Sequence, residues 1–356
     1  MDFLTSIFLS YITIYSFSII YNLLVNNHES SRVLATFNNI SLWIVALLFY
    51  LIYKNNKINI QILHKIIFVN YIILIFFYIV CLFMYHVLNM SNFSILGQSL
   101  FNLTWFDNTI KMRFTGFFDY SNLVIMYYFL FYPIFLKVCF NLKNIILKVV
   151  LLVLSFSVVI STLSRSGYII LILAFLISIC VIYMNKNNKI LVFALSFIGL
   201  TIVIIILVYT NMTNLILSEI KELIGSREGS TETRSLILND SINIVLNDSL
   251  LIGMGVKDSS PYDQLPYGSH STFVGFFYKA GLMGLILGTL LILWNNLKLL
   301  FVTFERPLII KVTSVFYLLM TAMLFVEDID GSNWLLIFYF TLAGIYLNNE
   351  NWRSET

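Results

Sequence analysis

The sequence of 356 residues has little charge: 11% of it is aspartate, glutamate, lysine or arginine, whereas 59% is hydrophobic. With a mean hydropathy of +0.89, too few polar side chains are present to cover a water-soluble surface, which excludes an ordinary soluble globular protein. The chain has three cysteines, Cys81, Cys139 and Cys180, all within or at the ends of apolar runs. This odd and dispersed set argues against a disulfide framework or a cysteine metal cluster.

Other familiar features are also missing. No basic leader or small-residue cleavage site accompanies the first apolar run, so we expect a retained helix and not a signal peptide. The sequence contains no internal repeat and no Pro-rich or Gly/Ser-rich linker. No basic stripe interleaved with aromatic residues is present, which excludes a typical nucleic-acid-binding protein.

Long apolar runs recur along the whole chain, and most are long enough to cross a hydrocarbon core of roughly 30 Å as a helix. We therefore predict an all-α, polytopic membrane protein of about ten transmembrane helices, with residues 1–356 as a single integral membrane domain. The predicted spans are residues 3–25, 33–53, 66–88, 115–136, 149–163, 168–184, 190–210, 272–294, 312–326 and 334–347.

The distribution of basic residues predicts the orientation. Twelve of the 21 lysines and arginines fall in loops on one side, together with both termini, so we expect that side to be cytoplasmic. Two segments on the other side, residues 89–114 and 211–271, interrupt the hydropathy pattern. Loops of that length in a compact protein are usually functional, so we expect the extracytoplasmic loop 211–271 to carry site residues.

Within that loop, Ser230 or Thr231 can cap a helix that runs to about residue 247. A step of 100° per residue places Leu238, Ile242 and Val245 on one side, with Arg234 in the middle of the same apolar stripe. Arg234 should therefore face the protein or the lipid headgroups. The alternative is an arginine that snorkels to lipid phosphate.

Four basic side chains lie at the outer ends of predicted helices: Arg113, Arg165, Arg234 and His270. Basic residues normally concentrate on the cytoplasmic side, so their presence at the outer face suggests a bound anion such as a lipid-linked phosphate. Snorkelling explains the arginines equally simply, and an ordinary loop histidine explains His270.

An acidic segment, Glu327-Asp328-Ile-Asp330, lies between the last two predicted spans. Three carboxylates can hold a divalent cation, but we expect a solvated acidic turn and assign no metal site. We also treat His28, His64 and His86 as structural, because no motif accompanies them.

Four short motifs stand in order at outer helix ends: Arg113-x-x-Gly116 followed by Asn122, Ser164-Arg165, Gly253-x-Gly255 after the Arg234 helix, and His270 ahead of Gly281-Leu-Met-Gly284. Each motif alone is weak. Together, over about residues 110–345, they resemble the O-antigen polymerase and ligase family of bacterial membrane glycosyltransferases, with a fold like that of C-type glycosyltransferases. Ser271 departs from the residue usual in that family after the histidine.

The resemblance implies a donor glycan joined to a polyprenol through pyrophosphate, and an acceptor hydroxyl on a second lipid-linked glycan. It assigns His270 as general base, with Arg165 and Arg234 as pyrophosphate ligands. Substrate binding falls to Arg113, Asn122, Arg227, Tyr267 and Asn333. Asn333 and Trp334 would shape a sugar subsite, although Trp334 also fits an interfacial anchor.

Within the family we expect a polymerase, which joins repeat units of a capsule or O-antigen at the outer face of the bacterial cytoplasmic membrane. The motifs alone do not separate polymerase from ligase, and the abundance of Asn, Ile and Lys, typical of a low-GC genome, favours the polymerase. The resemblance implies no cofactor, and a chain-length regulator is a candidate partner. A ligase that transfers finished glycan to lipid A core is the alternative within the family. A lipid-linked glycan flippase is the alternative from another class, disfavoured because polar residues gather at the outer surface and no repeat is present.

Overall fold

The computed structural model describes residues 2–106, 109–184, 228–262, 265–303 and 308–348. They group into two compact units. Unit 1 comprises Met1–Ile60, Ser230–Pro307 and Met320–Thr356, and unit 2 comprises Gln61–Gly229 and Leu308–Leu319.

The described chain is mainly helical, with one small sheet. Its helices are α1 (Phe3–Val25), α2 (Ser30–Asn55), α3 (Ile60–His86), α4 (Ser121–Phe140), α5 (Ile145–Ile160), α6 (Arg165–Met184), α7 (Glu228–Asp248), α8 (Thr272–Thr303), α9 (Leu308–Met323) and α10 (Leu335–Leu347). The strands are β1 (Asn92–Ile95), β2 (Gln98–Phe106) and β3 (Thr109–Phe114).

Five of these helices, α1, α2, α3, α4 and α8, are long and apolar enough to cross a membrane. Shorter apolar helices occupy Ile145–Ile160, Gly167–Ile177, Ile310–Met323 and Leu335–Leu347. The helical, polytopic membrane class is confirmed. Nine of the ten predicted spans overlap described helices, with ends that differ by up to six residues in α3 and α4 and by more in α8, but the count of ten membrane crossings is not established. The predicted span 190–210 lies outside the described residues.

Helix α3 has an exposed apolar face of the kind that contacts lipid. Its exposed side chains include Ile62, Ile66, Val69, Ile73 and Phe76. These positions recur every three or four residues, so they form one apolar stripe along the helix. In water such a stripe would be unfavourable, whereas hydrocarbon is its natural surrounding.

In unit 1, α1 packs against α8, and α2 packs against α10. The fully buried Trp43 ring of α2 marks the point where all four meet. Its neighbours are Tyr11 of α1 with ring centroids 4.7 Å apart, Phe276 of α8 at 5.7 Å and Phe340 of α10 at 6.2 Å. Large buried aromatic rings in contact provide a rigid frame for the polar groups beside them.

In unit 2, α4 is buried along most of its length and packs against α5 and α6. Tyr132 of α4 contacts Phe156 of α5 with ring centroids 6.1 Å apart, Phe175 of α6 at 5.7 Å and Phe316 of α9 at 6.5 Å. These helices therefore share one aromatic core.

Strands β1, β2 and β3 form an antiparallel sheet in that order, ahead of α4. In the β2–β3 ladder, Phe101 pairs with Phe114 and Asn102 pairs with Arg113. The prediction of an all-α fold missed this sheet. It lies in the segment that hydropathy marked as an interruption, where alternation over a few residues is too short to distinguish a strand from a loop.

Candidate functional site

Helix α8 is broken one third of the way along. Ala280 (φ −138°, ψ 22°) and Gly281 (φ 62°, ψ −155°) leave the helical region. A break of this kind frees backbone carbonyl and N–H groups, which must find partners elsewhere when they are buried.

The segment after α7 supplies those partners. Met254 N donates to the Tyr278 carbonyl at 2.7 Å, and Gly255 N donates to the Lys279 carbonyl at 3.0 Å. On the other side of the break, Leu282 N donates to the Leu250 carbonyl at 2.8 Å. The Gly253-x-Gly255 motif and the Gly281 motif are therefore one structural feature.

Glycine is required here because the two backbones touch. A Cβ on Gly281 would lie 2.6 Å from Ile252 N, and one on Gly253 would overlap the backbone of Ala280 and Gly281. Both residues also have a positive φ, +75° at Gly253 and +62° at Gly281.

Four buried charged side chains lie beside the break, and we call them the buried charge cluster: Lys257, Lys279, Asp328 and Asp330. Lys279, the last residue before the break, forms an ion pair with Asp330, and both side chains are 0% exposed. Lys257 forms an ion pair with Asp328, and its Nζ lies 3.7 Å from Asp330 Oδ1. Trp43 Nε1 donates to Asp330 Oδ2 at 2.8 Å.

The expectation of a solvated acidic turn is wrong. Glu327, Asp328 and Asp330 are only 2%, 5% and 3% exposed. Backbone contacts draw the turn inward, since Thr272 at the start of α8 donates to the Glu327 carbonyl through both N and Oγ1. Buried carboxylates are tolerable here because basic side chains pair with them. No cluster of three histidines, cysteines or acids suited to a metal occurs among the described residues.

The two aspartates of the cluster differ in ionisation. Burial and the neighbouring charge of Asp330 raise the pKa of Asp328 to about 6. Burial would also raise the pKa of Asp330, but Lys279 and Lys257 outweigh it and hold that pKa below its usual range. Asp330, which lies beside both lysines, is therefore the more firmly ionised of the two aspartates, and Asp328 ionises less readily.

The helix predicted in the loop is confirmed as α7, Glu228–Asp248. Its buried face is turned by about one residue from the predicted stripe, since Leu238 and Ile242 are only half-buried. Its buried positions are Ile237, Ser241 and Val245, and the half-buried Arg234 lies on the same stripe. Arg234 Nη1 lies 3.6 Å from Glu327 Oε1. The side chain thus faces protein, as expected, and its counter-ion is a buried carboxylate.

His270 lies between α7 and α8, close to these charges. Its backbone has φ 64°, in the left-handed region that few side chains adopt without cost. Its Nε2 is buried and has no hydrogen-bond partner within the described part of the chain. Burial, then the nearby charges of Arg234 and Lys257, lower the His270 pKa to about 4. The imidazole is therefore neutral at physiological pH and able to accept a proton.

The segment before His270 is fixed to its surroundings. The Tyr267 ring stacks on Tyr278, with centroids 6.0 Å apart, and Tyr267 N donates to the Asp258 carbonyl at 2.9 Å. Asp258 also pairs with His28 Nδ1 at 2.9 Å, so His28 anchors this segment. Tyr262 Oη donates to Asp240 of α7 at 3.1 Å.

The sequence analysis also assigned Asn333 and Arg227 to substrate binding. Asn333 is exposed and accepts a hydrogen bond from Asn38 Nδ2 of α2 at 3.1 Å. Arg227 lies outside the described residues.

Unit 2 contains the remaining assigned residues. Arg113 Nε donates to the Thr162 carbonyl at 3.2 Å, and Phe114 N donates to the Ser161 carbonyl at 2.8 Å. Strand β3 is thereby attached to the turn that leads into Arg165, the first residue of α6. Asn122 is buried near the start of α4. The Arg165 side chain lies outside what the structure describes.

The structure therefore assembles Arg234, His270 and Tyr267 within unit 1, and Arg113 with the Arg165 turn within unit 2. The sequence analysis missed Lys257, Lys279 and Glu327 as members of the site. A signal for Lys279 was available, because a charged residue inside an apolar helix is rare and usually functional. Nothing in the sequence indicates which acid each lysine pairs with.

Comparison with protein families agrees with the motif reading. The family model described as O-Antigen ligase matches residues 150–289, a segment that contains Arg165, Arg234, His270 and the break in α8. This match confirms the resemblance to the O-antigen polymerase and ligase family over that segment. A search of curated proteins finds no match. The match covers 140 of the 356 residues, and the described apolar helices are those of a polytopic membrane protein.

Proposed function

We propose that this protein transfers glycan from a polyprenyl-pyrophosphate carrier to a hydroxyl of a second lipid-linked glycan, and so polymerises repeat units of an O-antigen or capsule. The observation that carries the proposal is the neutral His270, whose buried Nε2 has no partner among the described residues and lies near the cations Arg234 and Lys257. A base beside a cationic group is what displacement with a phosphate leaving group requires.

In the proposed reaction, the acceptor oxygen bonds to the anomeric carbon while the bond from that carbon to pyrophosphate breaks. The leaving oxygen keeps the electron pair, and arginine offers its phosphate a planar fork of donors. His270 takes the hydroxyl proton. The negative charge of the bound donor would offset Arg234 and Lys257, which disfavour the protonated imidazole in the free protein.

The other assigned residues keep their proposed roles. Arg165 joins Arg234 as a pyrophosphate ligand, and Arg113, Asn122, Arg227, Tyr267 and Asn333 position the substrates. We place this site at the outer face of the cytoplasmic membrane, with both termini inside, on the basis of the basic inner loops.

A flippase remains the alternative from another class, and the structure bears on it in two ways. The break in α8 and the buried Lys279 are features that transporters use, and neither was expected. However, backbone of residues 250–255 fills the break, and Asp330 neutralises Lys279. A break that is filled in this way offers no path for a glycan, which favours an enzyme.

The test is the length distribution of surface glycan in cells that lack the native gene and carry this one. We compare wild type with Arg165→Ala, Arg234→Ala, His270→Ala and His270→Asn at matched membrane abundance. His270→Asn is the sharper variant, because asparagine tolerates a positive φ and so removes the imidazole without adding backbone strain.

A polymerase predicts a ladder in wild type that collapses to single repeats in the variants. A ligase predicts loss of surface glycan while polymerised lipid-linked chains accumulate. A flippase predicts that single lipid-linked repeats stay on the cytoplasmic side and that His270→Asn behaves as wild type. Unchanged ladders in every variant would refute the site assignment.

A further inference from the structure

We propose that Glu327 is a resident counter-ion of Arg234: it occupies the place of the donor phosphate in the free protein and is displaced when the donor binds. Its carboxylate would then set the affinity of the site for pyrophosphate. This inference rests on the proposed function, because it takes Arg234 to be a phosphate ligand.

The geometry of the pair is that of a loose contact. Arg234 Nη1 and Glu327 Oε1 are 3.6 Å apart, beyond hydrogen-bond distance. The Arg234 side chain is 37% exposed, whereas the Glu327 side chain is 3% exposed. Within the described chain, the guanidinium has no other ion pair. Arg234 thus keeps most of its five donors available to an incoming anion.

Glu327 is anchored through its backbone and not through this ion pair. Its carbonyl accepts from Thr272 N at 3.0 Å and from Thr272 Oγ1 at 2.8 Å. Ile329 N donates to the same Thr272 Oγ1 at 2.9 Å. The turn therefore stays in place when the carboxylate releases Arg234.

Of the three cations Arg234, Lys257 and Lys279, Arg234 is the least tightly paired. Lys279 is fully buried in its pair with Asp330, and Lys257 is paired with Asp328 and lies 3.7 Å from Asp330. These lysines cannot leave their partners without exposing a buried charge, which is costly. Among the described pairs, the one between Arg234 and Glu327 can exchange without burying a bare cation, since the Arg234 side chain is 37% exposed. Leaving the buried Glu327 carboxylate without this partner has a cost, and that cost lowers the affinity of the site for pyrophosphate.

Displacement of Glu327 by phosphate and a purely structural role of Glu327 predict opposite effects of a Glu327 substitution on pyrophosphate binding. Removal of a structural contact weakens binding, whereas removal of a competing anion strengthens it. We therefore expect Glu327→Gln to bind inorganic pyrophosphate about fivefold more tightly than wild type, the effect expected for loss of a partly exposed ion pair.

The experiment is titration of the purified full chain in lipid nanodiscs with inorganic pyrophosphate at low, constant ionic strength, by calorimetry. The variants are Glu327→Gln, Glu327→Asp and Arg234→Ala. Asp248→Asn is the control, since Asp248 is an exposed carboxylate of the same helix but lies fourteen residues, about 21 Å, along it from Arg234. Its affinity should equal that of wild type.

Tighter binding by Glu327→Gln supports the inference, and equal or weaker binding overturns it. Should Glu327→Gln fail to fold, Glu327→Asp decides in the same way, because it keeps the charge but withdraws it from Arg234. If Arg234→Ala weakens binding while neither Glu327 variant tightens it, the inference fails and the phosphate role of Arg234 stands. If Arg234→Ala binds as wild type does, that phosphate role and the inference fail together.

Discussion

Helix α8 carries a lysine–aspartate ion pair near each end, and the two pairs differ in almost every other respect. Lys279 and Asp330 are 0% exposed, whereas Lys298 and Asp2, which lie 2.7 Å apart, are 30% and 25% exposed. Asp2 is also paired with Lys54 at the end of α2 and caps α1 by accepting from Thr5 N at 3.0 Å.

The difference shows that the stability lost when one partner of an ion pair is removed depends on how deeply the pair is buried. An exposed pair is screened by water and contributes about 0–1 kcal/mol. A buried pair is costly to form, but loss of one partner leaves a bare charge in a medium of low dielectric constant. The pair near the break is therefore expected to be essential, and the pair at the far end dispensable.

The largest effect is expected for Lys279→Met, which keeps the side-chain length and removes the charge. Asp330 would lose its closest cation while buried, so we expect destabilisation by about 3–5 kcal/mol. Thermal unfolding of the purified protein measures this. The double variant Lys279→Met with Asp330→Asn should recover most of the loss, and a double variant no more stable than the single one would contradict this account.

The break itself comes next. Gly281→Ala forces a side chain into a backbone conformation that is essentially restricted to glycine, against the backbone of Leu251 and Ile252. We expect a loss of about 2–4 kcal/mol in unfolding free energy. Gly97→Ala is the matched control, because Gly97 also has a positive φ of 82° but nothing lies within 4 Å of an added Cβ. Equal losses for the two variants would show that α8 is not held by close contact.

The two ends of α8 should also respond differently to pH. Lys298, Lys54 and Thr5 outweigh the effect of burial and lower the pKa of Asp2, so that end stays ionised through mild acid. At the other end, burial, Arg234 and Lys257 lower the pKa of His270 to about 4. Below about pH 6.5 this histidine is protonated in the unfolded chain, whereas in the folded chain it stays neutral until about pH 4. His270 therefore lowers the free energy of unfolding as pH falls from about 6.5 to about 4.

His270→Asn removes this pH-dependent loss of stability. Relative to wild type, the variant should gain about 1–2 kcal/mol as pH falls across that window, a range discounted for partial exposure. The comparison between two proteins cancels the opposite contribution of Asp328, whose raised pKa of about 6 stabilises the folded state in the same window. Parallel pH profiles would show that the imidazole is not shielded from solvent.

The smallest effect is expected at the far end of α8. Lys298→Met leaves Asp2 with Lys54 and with partial exposure to solvent, so the unfolding free energy should change by less than about 1 kcal/mol. Glycan ladders should be unchanged. A loss as large as that of Lys279→Met would remove the distinction between the two ends.

Much of the architecture could be predicted from hydropathy. The first predicted span, residues 3–25, coincides with α1, and the helix predicted from Ser230 or Thr231 to residue 247 coincides with α7 within three residues. Such segments are predictable because apolar length and helical periodicity are local properties. The sheet at residues 92–114 was not predicted, since its strands are short and one hairpin turns at Leu96-Gly97 without an Asn-Gly or Asp-Gly signal.

The candidate site was predicted only in part. His270 and Arg234 were chosen from the sequence, and the structure places them near one another in unit 1. The acidic turn was misjudged, because a carboxylate in a polar connection between spans is usually solvated. Its burial depends on Lys257, Lys279 and Thr272, each more than fifty residues away along the chain.

The sequence by itself determined that this is a helical membrane protein with basic residues at helix ends, since these follow from composition and local periodicity. Tertiary structure alone decided that Gly253 and Gly281 meet backbone to backbone, and that Asp330 and Lys279 form a fully buried ion pair. Contacts between distant segments depend on packing. Packing also fixes the dielectric surroundings in which each charge contributes to stability and chemistry.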